Sequence, residues 1–199
     1  MLKASGMRRS QTKIRKLVII AMLSSISIFL GVSGLGFIRL PAFSLTIMHL
    51  PVIIGAILEG PIVGASVGLI FGLFSMYQAL TAPTVTSFLF LNPLIALVPR
   101  VLIGIVAYYV YKFLVKTLKK PKISIGISAI LATFTNTVGV LGLTYILYLD
   151  QYAKAINISP NVVGATLFGV ATTNGVLEAI ASALISVPVI IGVLKVKRQ

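Results

Sequence analysis

Arg100, Asn136, Asn174 and Glu178 are polar side chains set inside long apolar stretches of this chain. Polar and ionisable groups at such positions are costly to bury and mark functional sites by default. Arg100 follows Pro99 about seven residues into its stretch, roughly 10 Å deep by helix rise. Its planar donor fork suits a carboxylate or a phosphate. Its aliphatic stem could also carry the guanidinium toward the nearer interface. Asn174 and Glu178 are spaced i, i+4 and share one helix face. Thr133, Asn136, Thr137, Val140 and Thr144 form a mildly polar stripe on the preceding stretch. Packed helices could satisfy these groups among themselves, with Arg100 and Glu178 as a buried ion pair. They could also line a binding site. Met48, Phe74, Met76, Phe88 and Phe90 are candidates for an apolar pocket wall, or for contacts with lipid and its interface.

Other chemistries lack their residues. There is one His, no Cys and three Asp+Glu, so no metal site is expected. No G-x-x-x-x-G-K-[ST] loop is present, which excludes ATP hydrolysis by this chain. No cofactor is expected either. His49, at the end of the second apolar stretch, reads as an interfacial polar residue rather than a ligand or an acid. Intramembrane catalysis by Glu178 with His49 would need a second acid or a nucleophile–base spacing that is missing. The chain is not expected to be an enzyme.

The elements that must position these residues are written in the composition. The chain has 199 residues, 58% hydrophobic and 10% charged, against roughly 25% charged in a soluble domain. Its mean hydropathy is +1.08. One soluble core of this size could not hide that much apolar surface. A soluble enzyme, a disordered chain and a nucleic-acid-binding domain are therefore excluded. A membrane helix needs about 20 apolar residues. Stretches at 17–36, 47–58, 61–80, 93–115, 123–149 and 162–194 predict an all-α membrane protein with six transmembrane helices. The second is short, so 39–48 is expected to fold back as irregular structure. The last would reach about 50 Å as one helix, so it must tilt, kink at Pro188 or project from the bilayer. A β-barrel would instead show segments of about ten alternating residues.

Basic residues cluster in 1–16, in 112–122 and after 194, fourteen of the seventeen Lys and Arg in all. Six spans put all three clusters on one side, which the positive-inside rule makes cytoplasmic. The expected organisation is a basic cytoplasmic tail at 1–16, one transmembrane substrate-binding domain at 17–195 and a cytoplasmic end at 196–199. Gly64, Gly68 and Gly72 repeat every four residues on the third stretch, and Ala21 and Ser25 form a small pair on the first. Small residues at this spacing allow helices to approach closely.

Three segments carry a family resemblance. HLPVIIGAILEGPIVGASVGLIFGLFS at 49–75 resembles the second and third helices of the S components of energy-coupling factor (ECF) vitamin transporters. FLNPLIALVPRVLIGIVAYYVYK at 90–112 is similar to their fourth helix, with its Asn-Pro and Pro-Arg-x-x-x-Gly features, and TTNGVLEAI at 172–180 to their sixth. The likeness extends over the chain after residue 16 and is greatest to the pantothenate branch. It implies a subunit of the cell membrane that binds a vitamin at the outer face. Its partners would be a transmembrane coupling protein and two cytoplasmic ATPases. It also implies docking through an Ala-x-x-x-Ala motif on the first helix. Here that motif is Ala21-Met-Leu-Ser-Ser25, with Ser in place of the second Ala. In such a site Arg100 would take a carboxylate, with Arg39 adding positive potential. Asn136 and Asn174, with Glu178 beside them, would meet hydroxyls or an amide, and Phe88 and Phe90 would gate the outer loop. Other vitamins of riboflavin or pyridoxine type are alternatives. A self-sufficient secondary transporter would need inverted repeats and broken helices, and no clear internal repeat is visible.

Overall fold

The computed structural model of the chain describes residues 2–39 and 44–197, with side chains from Thr12 onward outside 37–45. The order is α1 (Leu2–Val32), β1 (Phe37–Arg39), β2 (Ser44–Thr46), α2 (Leu50–Glu59), α3 (Pro61–Thr81), α4 (Pro93–Leu118), α5 (Pro121–Ala155), α6 (Pro160–Val170) and α7 (Val176–Val196). A 3-10 turn at Ser87–Leu91 precedes α4, and a π turn at Ala171–Gly175 joins α6 to α7. The expected all-α membrane bundle is the observed one, apart from the short hairpin. Pro stands in the first turn of α2 through α6, where its missing N–H leaves no bond unmade and its fixed φ suits a helix start. Gly60, at φ 103°, turns α2 directly into α3.

Several boundaries differ from the sequence expectation. Among the described residues, five helical runs are long and apolar enough to cross a membrane, and α2 is not among them. At 10 residues it spans about 15 Å. The stretch at 39–48 is not irregular throughout: β1 pairs antiparallel with β2 in the register Phe37↔Thr46, Ile38↔Leu45, Arg39↔Ser44. The basic segment expected as a tail is helical from Leu2 and continuous with the first span. The last span stays helical through Pro188. Its irregularity is the π turn seventeen to thirteen residues earlier in the chain, at Ala171–Gly175. In α5 the non-helical Tyr148 (φ −135°, ψ 22°) marks a kink.

The bundle closes around α2. Val52, Ile53 and Ala56 have no exposed surface, and they pack with Val63, Val67 and Phe71 of α3, Ile103 of α4 and Ile125 and Ala129 of α5. Large apolar side chains instead cover the outside, among them Phe29, Phe113, Ile146, Phe168 and Leu184. An apolar exterior of this extent needs lipid rather than water around it. At the end of the bundle rich in Lys and Arg, Glu59 accepts from Arg15 (2.7 Å) and from Lys197. This ties α1 and the chain end to α2.

The α3–α4 contact is backbone against backbone. A Cβ at Gly68 would strike the carbonyl of Arg100, one at Gly72 the carbonyl of Ala96, and one at Gly104 the backbone of Gly64. Gly68→Ala should therefore cost about 1–3 kcal/mol, the usual range for overpacking. Gly192→Ala, with nothing within 4 Å of the new methyl, should gain up to about 1 kcal/mol from helix propensity. Thermal unfolding midpoints in detergent measure both. An unchanged midpoint for Gly68→Ala would show that the helices separate freely.

Candidate functional site

On α4 the buried residues Ala96, Pro99, Arg100, Ile103, Gly104 and Ala107 fall on one face, the i, i+3, i+4, i+7 pattern of a helix packed against a core. Arg100 lies on that face and cannot turn away from the protein. Only 6% of its surface is exposed. Its Nη1 donates to the Ile95 carbonyl at 2.7 Å. The Phe90 ring lies 4.9 Å and the Phe71 ring 5.7 Å from the guanidinium carbon, in reach of a cation–π attraction. Nε has no hydrogen-bond partner. Among the described residues the ion pairs both fall on Glu59, so Arg100 has no carboxylate counter-ion.

Arg100 lines a cavity of about 450 Å³, a size that suits a small organic molecule. Thr46 at the end of β2 and Met48 just after it wall the cavity, with Phe71, Ser75, Gln78 and Ala79 from α3. Ala82, Thr84, Ser87 and Phe90 wall it from the connection between α3 and α4. The mouth lies beside Ala82 and Thr84, which are exposed.

The alternative of an Arg100–Glu178 ion pair is not realised. Glu178 Oε1 instead accepts from the Thr46 backbone N–H at 2.7 Å, which holds the end of β2 against α7. His49 is not interfacial. It is 1% exposed, because α2 begins inside the bundle, and its Nε2 lies 2.7 Å from Ser182 Oγ and 3.1 Å from Thr133 Oγ1. Those two hydroxyls also bond each other at 3.0 Å.

The remaining sequence-predicted residues are dispersed. Phe90 and Met48 line the cavity. Phe88 packs edge-on against Tyr148, with ring centroids 5.8 Å apart. Asn136 buries its Oδ1 on α5 without a partner, and Asn174 is half-buried in the π turn. Neither is among the cavity-lining residues. The side chain of Arg39 lies outside the described residues. Ala21 and Ser25 are exposed on α1, with Ser25 Oγ donating to the Ala21 carbonyl at 2.8 Å. Gln78, Ser75, Thr84 and Ser87 were not singled out from the sequence. For Gln78 a signal existed: Phe71, Ser75 and Gln78 are spaced i, i+4, i+7 and so share one helix face. Among the described residues no three His, Asp or Glu side chains converge as a metal site would require.

A helical membrane bundle with a partly open cavity and an unpaired cation in its wall is suited to hold a small molecule. The comparisons with known proteins make the class specific. Residues 15–190 match the family "ECF transporter, substrate-specific component". The pantothenic acid transporter PanT of Lactococcus lactis subsp. cremoris is 32% identical over 158 residues, covering 69% of this chain and 78% of that protein. The pantothenate transporter PanT of Leuconostoc mesenteroides subsp. mesenteroides is 32% identical over 187 residues, covering 88% of this chain and 90% of that one. A solved structure described as the S component of a bacterial ECF transporter shares the fold. Its TM-score is 0.64 at 18% identity, over 94% of this chain and 99% of that one. The chain belongs to the ECF transporter S-component family and is a multi-pass membrane protein of a transport system.

The bond between Glu178 and Thr46 has a measurable consequence. A hydrogen bond to a charged group contributes about 1.5–3 kcal/mol. Glu178→Ala should raise amide hydrogen exchange at Thr46 by roughly one to two decades, while Glu178→Gln, which keeps an acceptor oxygen, should retain most of the protection. Equal protection in all three proteins would mean that the segment is held by other contacts.

Proposed function

We propose that this S component captures pantothenate at the hairpin end of the bundle, for ATP-driven uptake by partner subunits. The observation that carries the proposal is Arg100: a buried cation in a cavity wall, with a free Nε and no carboxylate beside it among the described residues. Pantothenate supplies the missing carboxylate. The names of the two relatives point the same way. A neutral vitamin of riboflavin or pyridoxine type would leave the buried charge uncompensated, at a substantial cost.

The basic end faces the cytoplasm, with both termini, and the hairpin end faces outward. Fourteen of the seventeen Lys and Arg support this orientation. The partners are a transmembrane coupling protein and two cytoplasmic ATPases. Ala21 and Ser25 form the docking point on α1, where their small side chains and exposure leave room for another helix.

Arg100→Ala should weaken pantothenate binding by roughly 10- to 100-fold, the loss of a charge-assisted hydrogen bond. Arg100→Lys should restore part of it, since an ammonium cannot reproduce the planar fork. Isothermal titration of the detergent-purified chain reads both, and wild-type affinity in a folded Arg100→Ala protein would overturn the assignment. For docking, Ala21→Leu should reduce co-purification with the coupling protein several-fold and leave pantothenate affinity unchanged. Full recovery of the complex would place the docking point elsewhere.

A further inference from the structure

The polar side chains in the cavity wall are not equivalent. Ser75 Oγ donates to the Phe71 carbonyl at 3.0 Å. The Thr84 and Ser87 hydroxyls lie 2.9 Å apart, and Ser87 Oγ also accepts from the Thr84 N–H at 2.7 Å. These hydroxyls are engaged in shaping the wall. Gln78 differs: it lines the cavity, is half-buried, and its side-chain amide makes no hydrogen bond among the described residues. An amide carries two donors and two acceptor sites, and leaving them unmet in a partly desolvated wall is unfavourable.

Its position gives the cavity a direction. Phe71 and Gln78 share one face of α3, seven residues apart, which is about 10 Å of helix rise. The Phe71 ring lies beside the Arg100 guanidinium, and both residues are buried. Gln78 stands two turns nearer the exposed Ala82 and Thr84, at the mouth. The cavity thus offers a cation at one end, apolar surface from Phe71, Phe90 and Ala79, and a neutral amide at the other end.

We propose that Gln78 is the second recognition point of this cavity and fixes the orientation of the substrate within it. The inference rests on the pantothenate reading above. Pantothenate has its carboxylate at one end and its two hydroxyls in the other half, on either side of a dimethyl carbon, with an amide joining the two halves. The carboxylate lies inward on Arg100, and the Gln78 carboxamide reads a hydroxyl near the mouth, donating to it or accepting from it. Gln78 then selects among carboxylates that Arg100 alone would not distinguish. A site built to hydrogen-bond a hydroxyl discriminates against an analogue lacking it, because its own polar group is then left unpaired.

The test uses the full chain purified in detergent and three ligands: pantothenate, the alcohol in which CH2OH replaces the carboxylate, and the analogue in which hydrogen replaces both hydroxyls. Gln78→Met is nearly isosteric and removes the amide, and Gln78→Ala provides a second variant of different volume. Both should weaken pantothenate about tenfold, as loss of one neutral hydrogen bond does. They should weaken the alcohol by the same factor and leave affinity for the dehydroxylated analogue unchanged. Arg100→Lys should show the opposite selectivity, weakening pantothenate and the dehydroxylated analogue but not the alcohol. Wild-type affinity for pantothenate in both Gln78 variants would overturn the inference. So would an equal loss for the dehydroxylated analogue, since Gln78 would then act on something other than the hydroxyls. If the wild-type chain binds none of the three ligands, the pantothenate reading itself fails, and that result is distinct from either outcome at Gln78.

Discussion

Gly68 presses against the carbonyl of Arg100, with no space for a Cβ between them. That contact, repeated one turn away in each direction at Gly64 and Gly72, sets the rotation and depth of α4 against α3. It turns Arg100 into the bundle and places Phe71 beside its guanidinium. A cation taken out of water without a partner is unfavourable by several kcal/mol. The Ile95 carbonyl and the Phe71 and Phe90 rings offset part of this cost, each ring by about 0.5–2 kcal/mol. The remaining demand is for negative charge, which the carboxylate of the proposed substrate would supply. Close glycine packing is in this sense the origin of the site's appetite for an anion.

The short α2 has a related role. It is too short to cross a bilayer, and its surroundings are protein rather than lipid, which is where an interrupted span is tolerated. Polar groups hold it at both ends. His49 meets Ser182 and Thr133 in the interior, and Glu59 meets Arg15 and Lys197 at the basic end. Because α2 starts deep, the chain entering it can cross the cavity wall through Thr46 and Met48. Glu178 fastens that crossing by one backbone bond. The interior carboxylate thus positions the wall and leaves Arg100 free of a protein counter-ion.

Much of this was visible in the residues. The helical runs, their Pro starts and the glycine repeat all follow from local patterns, and Arg100 stands out locally as a charge inside an apolar stretch. Phe90 and Met48, which the sequence leaves open as pocket wall or lipid contact, line the cavity. For Glu178 the sequence leaves two readings open, a pair with Arg100 or a place in the binding site; nothing local reveals that it bonds a backbone N–H 132 residues away. His49 was placed at an interface because its helix was assumed to begin there. Gln78 was overlooked because a single amide near the end of a span looks like an ordinary interfacial residue until the cavity beside it is known.

The sequence by itself determined that this is a helical membrane protein, where its helices run and which end is basic. Those properties depend on composition over each stretch, and transfer into lipid is a matter between a segment and its solvent. Tertiary structure decided which side chains share the cavity. Arg100 meets Phe71 and Phe90, Gln78 faces the same space, and Asn136 and Asn174 stand apart from it. Such meetings depend on the rotation of each helix about its own axis and on its depth against its neighbours. Close contacts between helices set both quantities, and hydropathy carries no record of either.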